Sequence, residues 1–180
     1  MTTLPAASPA PTLTLTPIHI PTAPVRARYW ETEMFPTPPP LPTQPGGGRE
    51  APRYDGVDDL LNDSRSRLIR LSARAAYQQV LYRRAVLVDI RPQGQRELEG
   101  EVHPDLSPLV IERNVLEWRL DPRHPSSLPI ADLGLRVILM CQEGYTSSLA
   151  ADVLLRMGIH RSTDIIDGFV AWREAGLPRH

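Results

Sequence analysis

Between Asp58 and Pro178 the chain alternates between two apolar periods, and the order in which they alternate predicts the fold. Leu60, Leu61, Leu68 and Leu71, set among Asp and Arg, have spacings compatible with an amphipathic helix over Asp58 to Arg70. Ser72 then stands where an N-cap is wanted, ahead of a second helix over Ala73 to Leu81. The period changes at Ala85-Val86-Leu87-Val88, a continuous apolar run that ends at Asp89 and reads as a strand buried on both faces. Val137-Ile138-Leu139-Met140 repeats this pattern and ends at Cys141. A short strand is expected within Ile111 to Leu116, ahead of Trp118, Arg119 and Asp121. Ser147 to Met157 places Leu149, Val153, Leu154 and Met157 on one helical face, with Gly158 as the C-cap. Thr163 to Ile166 reads as another strand, Asp167-Gly168 as a turn, and Phe169 to Ala175 as a last helix with Trp172 facing the core, ended by Gly176 and Pro178. Strands alternating with helices predict an α/β domain with a mostly parallel sheet.

Composition divides the chain. Twelve of the 20 prolines fall in residues 1–50, in runs such as Pro38-Pro39-Pro40 ahead of Gly46-Gly47-Gly48. Proline removes amide donors, and the interleaved Thr, Ala and Ser offer little apolar area to offset the entropy of ordering. Residues 1–50 are therefore expected to be a disordered, Pro/Thr-rich tail, a passive linker or a ligand for a groove of the SH3 type. Arg26, Arg28, Tyr29 and Trp30 cluster there, and Met34 offers an alternative start. Residues 54–180 have the composition of a globular domain, and at about 125 residues such a domain buries roughly two-thirds of its unfolded surface.

The charge balance excludes a strongly basic nucleic-acid binder, because 20 cations, all Arg, face 21 carboxylates. The single cysteine, Cys141, excludes an intrachain disulfide framework and a zinc site built on several thiolates. Thr and Pro interrupt every apolar stretch up to Pro24, against a secretory signal, and no run approaches the ~20 residues of a membrane span. Cytoplasmic location, no metal and no membrane or nucleic-acid partner are the corresponding expectations.

Open α/β sheets carry their chemistry outside the carboxyl ends of the strands, and the two candidate ends here are Asp89 and Cys141. After Cys141 come Gln142, Glu143, Gly144, Tyr145 and Thr146, and a helix opens at Ser147. Loop amides and the helix dipole favour an anion at that place. The alternative is an inert strand-end cysteine, since free Cys is among the most buried residue types.

Three motifs in order resemble a rhodanese domain over about residues 58–179. They are Val86-Leu87-Val88-Asp89-Ile90-Arg91, the loop that begins at Cys141 with Gly144 at its fourth position, and Asp167-Gly168-Phe169-Val170-Ala171-Trp172 running to Gly176-Leu177-Pro178. The resemblance implies a central mostly parallel sheet with helices on both faces. It implies a sulfurtransferase with Cys141 as nucleophile, which takes a sulfane sulfur from a donor such as thiosulfate, holds it as a persulfide, and passes it to a thiophilic acceptor, small molecule or protein. No cofactor is implied. The loop amides of Gln142 to Ser147 would cradle the terminal sulfur, and Asp89 and Arg91 would orient the loop, the alternative for Arg91 being a surface pair with Glu97 or Glu99.

Many rhodaneses place Arg or Lys at the second, third or sixth loop position, where this chain has Gln142, Glu143 and Thr146. Thr at the sixth place also occurs in active members. A carboxylate at Glu143 opposes an anionic donor unless it points to solvent or pairs with an Arg. The six-residue loop is unlike that of the related dual-specificity phosphatases, which is one residue longer and ends in Arg, so phosphatase chemistry is not expected. Where the family usually reads Gly-His-Ile-Pro-Gly-Ala, this chain has Gly100-Glu101-Val102-His103-Pro104-Asp105, and the displaced His103 stays outside the expected site. The cation-free loop also leaves open a non-catalytic module that binds an anion or protein, or senses oxidants through Cys141.

Overall fold

A computed structural model describes residues 52–180 of the chain, and the expected tail at 1–50 lies outside the described residues. Four parallel strands form the sheet: β1 (Val86–Asp89), β2 (Leu109–Val110), β3 (Arg136–Met140) and β4 (Arg161–Asp164), in the order β2-β1-β3-β4. Val88 pairs with Leu139 and Asp89 with Met140, so both apolar runs end at one edge, with Cys141 directly after β3. Parallel neighbours need a crossover between them, and helices supply it. The helices are α1 (Val57–Ser66), α2 (Ala73–Leu81), α3 (Gln93–Glu99), α4 (Leu116–Leu120), α5 (Thr146–Arg156) and α6 (Gly168–Glu174).

Period-two alternation of β1 and β3 divides the core into two layers. Val88, Val137, Leu139 and Cys141 pack with Ala150, Ala151 and Leu154 of α5 and Leu116 and Leu120 of α4. Leu87, Ile138 and Met140 face the other way, onto Ala73, Ala76 and Val80 of α2 and Phe169 and Trp172 of α6. Helices thus cover both faces, as the strand pattern requires. Trp172 is fully buried, meets Tyr77 edge to face at 6.0 Å between ring centres, and donates its indole N–H to the carbonyl of Pro178 at 3.0 Å. Among the described residues no helix is long and apolar enough to cross a membrane.

Three expected elements differ from those observed. The first helix stops at Ser66, four residues before Arg70, because Leu68 turns into the core and Leu71 joins β4's line in a bridge to Ile165. The backbone there finds partners outside the helix: Leu71 N–H donates to Asp164 O at 3.0 Å and Ile166 N–H to Leu71 O at 2.9 Å. The short strand is Leu109–Val110 and not Ile111 to Leu116, a segment that winds into a 3-10 turn and α4 with Arg113 paired to Glu117 one turn on at 2.7 Å. β4 begins earlier, at Arg161, and ends at Asp164. The Ser72 cap forms as expected, accepting from Ala75 N–H at 3.3 Å.

Candidate active site at the carboxyl edge of the sheet

The chain leaves β3 at Cys141, turns through Gln142 to Tyr145, and enters α5 at Thr146. This turn wraps around the cysteine sulfur. Gly144 N–H donates to Sγ at 3.2 Å, Ser147 N–H donates to it at 3.4 Å, and Ser147 Oγ lies 3.2 Å from it. Cys141 is buried, 8% exposed, with its sulfur held inside the loop. Gly144 makes the turn possible: its φ is +74°, and a Cβ there would stand 2.7 Å from the amide nitrogen of Asp167 and 3.0 Å from the carbonyl of Ile165. Backbone amides and the N-terminal end of an 11-residue helix point at one sulfur, an arrangement suited to a thiolate or the terminal sulfur of a persulfide.

The loop is held from beneath at its other end. Phe169 N–H donates to Cys141 O at 2.8 Å and Val170 N–H to Gln142 O at 3.1 Å, so two amides of the first turn of α6 find their acceptors in the loop. Gly168 lies so close that a Cβ would stand 2.2 Å from Cys141 O, which leaves room only for glycine.

Asp89 and Arg91, from the end of β1, form one wall. Arg91 is buried, pairs with Asp89 at 2.7 Å, and lies over the Phe169 ring at 3.9 Å from its centre. Its remaining donors reach Gln142 Oε1 at 3.1 Å and Gly100 O at 2.9 Å. Arg91 therefore makes no pair with Glu97 or Glu99; its guanidinium is turned inward to the loop. A buried charge is tolerated only when it is paired and hydrogen-bonded, and this one is both.

Four residues that local sequence reading missed complete the site: Arg65, Arg70, Ser148 and Asp164. Asp164, at the end of β4, is fully buried and forms a two-point pair with Arg70 at 2.8 and 3.0 Å. Its Oδ2 also accepts from Ser148 Oγ at 2.8 Å and Ser147 Oγ at 3.2 Å. Each serine carries a single hydroxyl proton. Ser147 can therefore donate to Asp164 while accepting from a Cys141 thiol, or donate to a Cys141 thiolate and leave Asp164 to Ser148 and Arg70. The hydroxyl is a rotor between the two states of the sulfur. The Gly144 carbonyl accepts from Arg65 Nη2 at 2.9 Å and from Arg70 Nη2 at 3.2 Å. In a trans peptide the C=O and N–H point in opposite directions, so these guanidiniums also fix the Tyr145 amide.

Of the remaining expected loop residues, Gln142 is half-buried, while Glu143, Tyr145 and Thr146 are exposed. Glu143 points to solvent, which removes its carboxylate from the sulfur's immediate surroundings. Tyr145 lies under the Arg65 guanidinium, 5.5 Å from the ring centre. His103 caps a 3-10 turn, its Nδ1 accepting from Asp105 N–H at 3.3 Å, and has no part in the loop. A groove of about 670 Å³ lies toward the opposite edge of the sheet, between Val86, Leu106 and Arg136, and Cys141 does not line it. The chemistry identifies the site here, and cavity size does not.

No family model matches the chain. A protein of unknown function from Rhodopseudomonas palustris, described as a possible tyrosine phosphatase, is similar in structure, with 28% identity, a TM-score of 0.64, 74% of this chain and 100% of that one covered. A homodimeric polysulfide-sulfur transferase from Wolinella succinogenes is similar at 24% identity and a TM-score of 0.53, over 67% of this chain and 84% of its own. A thiosulfate sulfurtransferase from Pseudomonas aeruginosa is similar at 22% identity and a TM-score of 0.52, over 67% of this chain and 21% of its own. At these identities the two transferases establish the shared fold.

Proposed function

We propose that this chain, whose fold is rhodanese-like, is a sulfurtransferase working through a persulfide on Cys141. The observation that supports this reading is the convergence of the Gly144 and Ser147 amides on Cys141 Sγ. With thiosulfate, the Cys141 thiolate attacks the outer sulfur, a new S–S bond forms, and the old one breaks with its electron pair leaving on sulfite. In the second half-reaction a thiophilic acceptor, such as cyanide, a thiol or a protein cysteine, attacks the terminal sulfur. Cys141 then departs as thiolate. Both steps are two-electron displacements at sulfur and balance without a metal or organic cofactor.

Each group near the sulfur has work in this scheme. The amides stabilise negative charge as it grows on the terminal sulfur, and Ser147 turns its proton to the thiolate released in the second step. Arg91 and Asp89 hold the Gln142 side of the loop, and Arg70 with Asp164 holds the Ser147 side.

Intact mass tests the covalent step. Thiosulfate should add about 32 Da, one sulfur, cyanide should remove it, and Cys141→Ser should show neither change. Phosphatase activity is the reading suggested by the R. palustris protein, but neither Thr146, the loop's sixth residue, nor Ser147, where a loop one residue longer would end, is the arginine that binds phosphate. Hydrolysis of p-nitrophenyl phosphate without any sulfur adduct would favour it. The exposed Glu143 in a cation-free loop favours a non-catalytic or redox-sensing module, which would leave the mass unchanged with every sulfur donor and show sulfenic acid after peroxide.

A further inference from the structure

Thiosulfate is a dianion, while the loop from Cys141 to Ser147 contains one carboxylate and no cation. Three guanidiniums nevertheless touch it from outside. Arg91 reaches Gln142, and Arg70 and Arg65 reach the Gly144 carbonyl. Two of these are already neutralised: Arg91 by Asp89 at 2.7 Å and Arg70 by Asp164 at 2.8 Å.

Arg65 differs. Among the described residues it has no carboxylate within ion-pair distance, and its hydrogen bonds go to neutral groups, Gly144 O at 2.9 Å and Ser148 Oγ at 3.2 Å. Nε and one Nη2 proton make those bonds, and Nη1 has no hydrogen-bond partner among the described residues. The side chain is half-buried, with its guanidinium over the exposed ring of Tyr145. It stands in the last turn of α1, where the helix dipole also favours a cation. A partly desolvated charge without a counter-ion, tied to the residues flanking Ser147, attracts anions more strongly than a solvated surface arginine.

We propose that Arg65 is the cation that recruits the sulfur donor, binding the anionic end of a small sulfane-sulfur species through Nη1 with the Tyr145 ring beside it. The charge that the loop lacks is thus delivered by a helix in the preceding part of the chain. The inference rests on the sulfurtransferase reading, and it makes the preferred donor an anion, such as thiosulfate or an inorganic polysulfide, over a neutral trisulfide.

The experiment compares wild type, Arg65→Gln and Arg65→Lys with thiosulfate and with an uncharged dialkyl trisulfide, each followed by mass as the Cys141 adduct it forms: a persulfide as sulfite leaves, or a mixed trisulfide as the alkanethiolate leaves from the central sulfur. Arg65→Gln should raise KM for thiosulfate about tenfold or more and far more than it raises KM for the trisulfide, while any fall in kcat from the lost Gly144 contact should be common to both donors. Arg65→Lys should recover most of the thiosulfate KM. In wild type, added salt should lower kcat/KM for thiosulfate and not for trisulfide, a readout that stands even where a variant folds poorly. Equal losses of Arg65→Gln with both donors would make Arg65 a scaffold for Gly144 and overturn the proposal, as would an unchanged thiosulfate KM or a salt-insensitive wild type. Calorimetry of thiosulfate binding to Cys141→Ser, with and without Arg65→Gln, separates the two readings. Binding that depends on Arg65 in a protein whose wild type forms no adduct would overturn sulfur transfer and keep the anion site, whereas no binding and no adduct would overturn both.

Discussion

Arg70 and Asp164 stand 94 residues apart in the chain and form a two-point ion pair directly beneath the Cys141 loop. Asp164 is fully buried, and Arg70 keeps 15% of its side chain exposed. Removing one member of such a pair strands a buried charge and costs about 3–5 kcal/mol, while replacing both by apolar groups is near neutral. Asp164→Ala should therefore lower the urea midpoint sharply, and the double variant Arg70→Met, Asp164→Leu should recover much of that stability. Sulfur loading should not recover with it, because Ser147 would lack its acceptor and the Gly144 carbonyl its Arg70 donor. Equal recovery of stability and loading would assign the pair to the scaffold alone.

Ser147→Ala removes the one hydroxyl that, among the described residues, lies within reach of the sulfur, and leaves its backbone amide in place. A hydrogen bond to a charged group is worth about 1.5–3 kcal/mol, so single-turnover persulfide formation should slow by about tenfold or more. The melting temperature should change little, since Ser148 and Arg70 still satisfy Asp164.

Gly144→Ala tests the turn. At φ of +74° an alanine incurs about 1–2 kcal/mol of left-handed strain. Its Cβ also drives against the Asp167 amide at 2.7 Å. We expect a fall in stability and loss of the mass adduct together, measured by urea unfolding and intact mass on the same preparation.

Acid should loosen the contact between α1 and α5. Arg67 bridges Asp63 at 2.8 Å and the buried Asp152 at 2.6 Å. The Arg67 guanidinium, with the Tyr54 hydroxyl, pulls the Asp63 carboxyl down to about 2, and Arg67 likewise lowers that of Asp152. A carboxyl depressed in the folded state contributes stability that is present above its unfolded value, about 3.9, and is lost as pH falls through the folded one. The urea midpoint should thus drop between about pH 4 and pH 2, more steeply in wild type than in Arg67→Met. Identical pH profiles would remove Arg67 from this linkage.

The apolar runs Val86 to Val88 and Val137 to Met140 made the parallel sheet legible, because uninterrupted burial on both faces leaves few other solutions. Asp89 and Cys141 were legible as strand ends for the same reason. Arg65 was not, since it lies within a helix whose polar face offers no local mark, and its partners Gly144 and Ser148 are some 80 residues away. Asp164 carried a fainter mark: a carboxylate between Thr163 and Ile165, at the end of a strand, repeats the situation of Asp89. The helix overrun to Arg70 has a tertiary cause, for its periodicity is real, but Ile69 to Leu71 gain more partners beside β4.

The segment that follows α6 is zipped to the stretch after α3. Glu101 and His180 exchange two backbone hydrogen bonds at 2.9 Å, and Val102 bridges Arg179. That stretch begins at Gly100, whose carbonyl holds Arg91, which in turn holds Gln142. During synthesis Cys141 therefore emerges from the ribosome before Asp164, before the amides of Phe169 and Val170, and before the residues that clasp Glu101. A nascent chain released before Asp164 would present its thiol without the Ser147 acceptor and without the α6 amides that hold the loop, open to whatever oxidant or thiol it meets first.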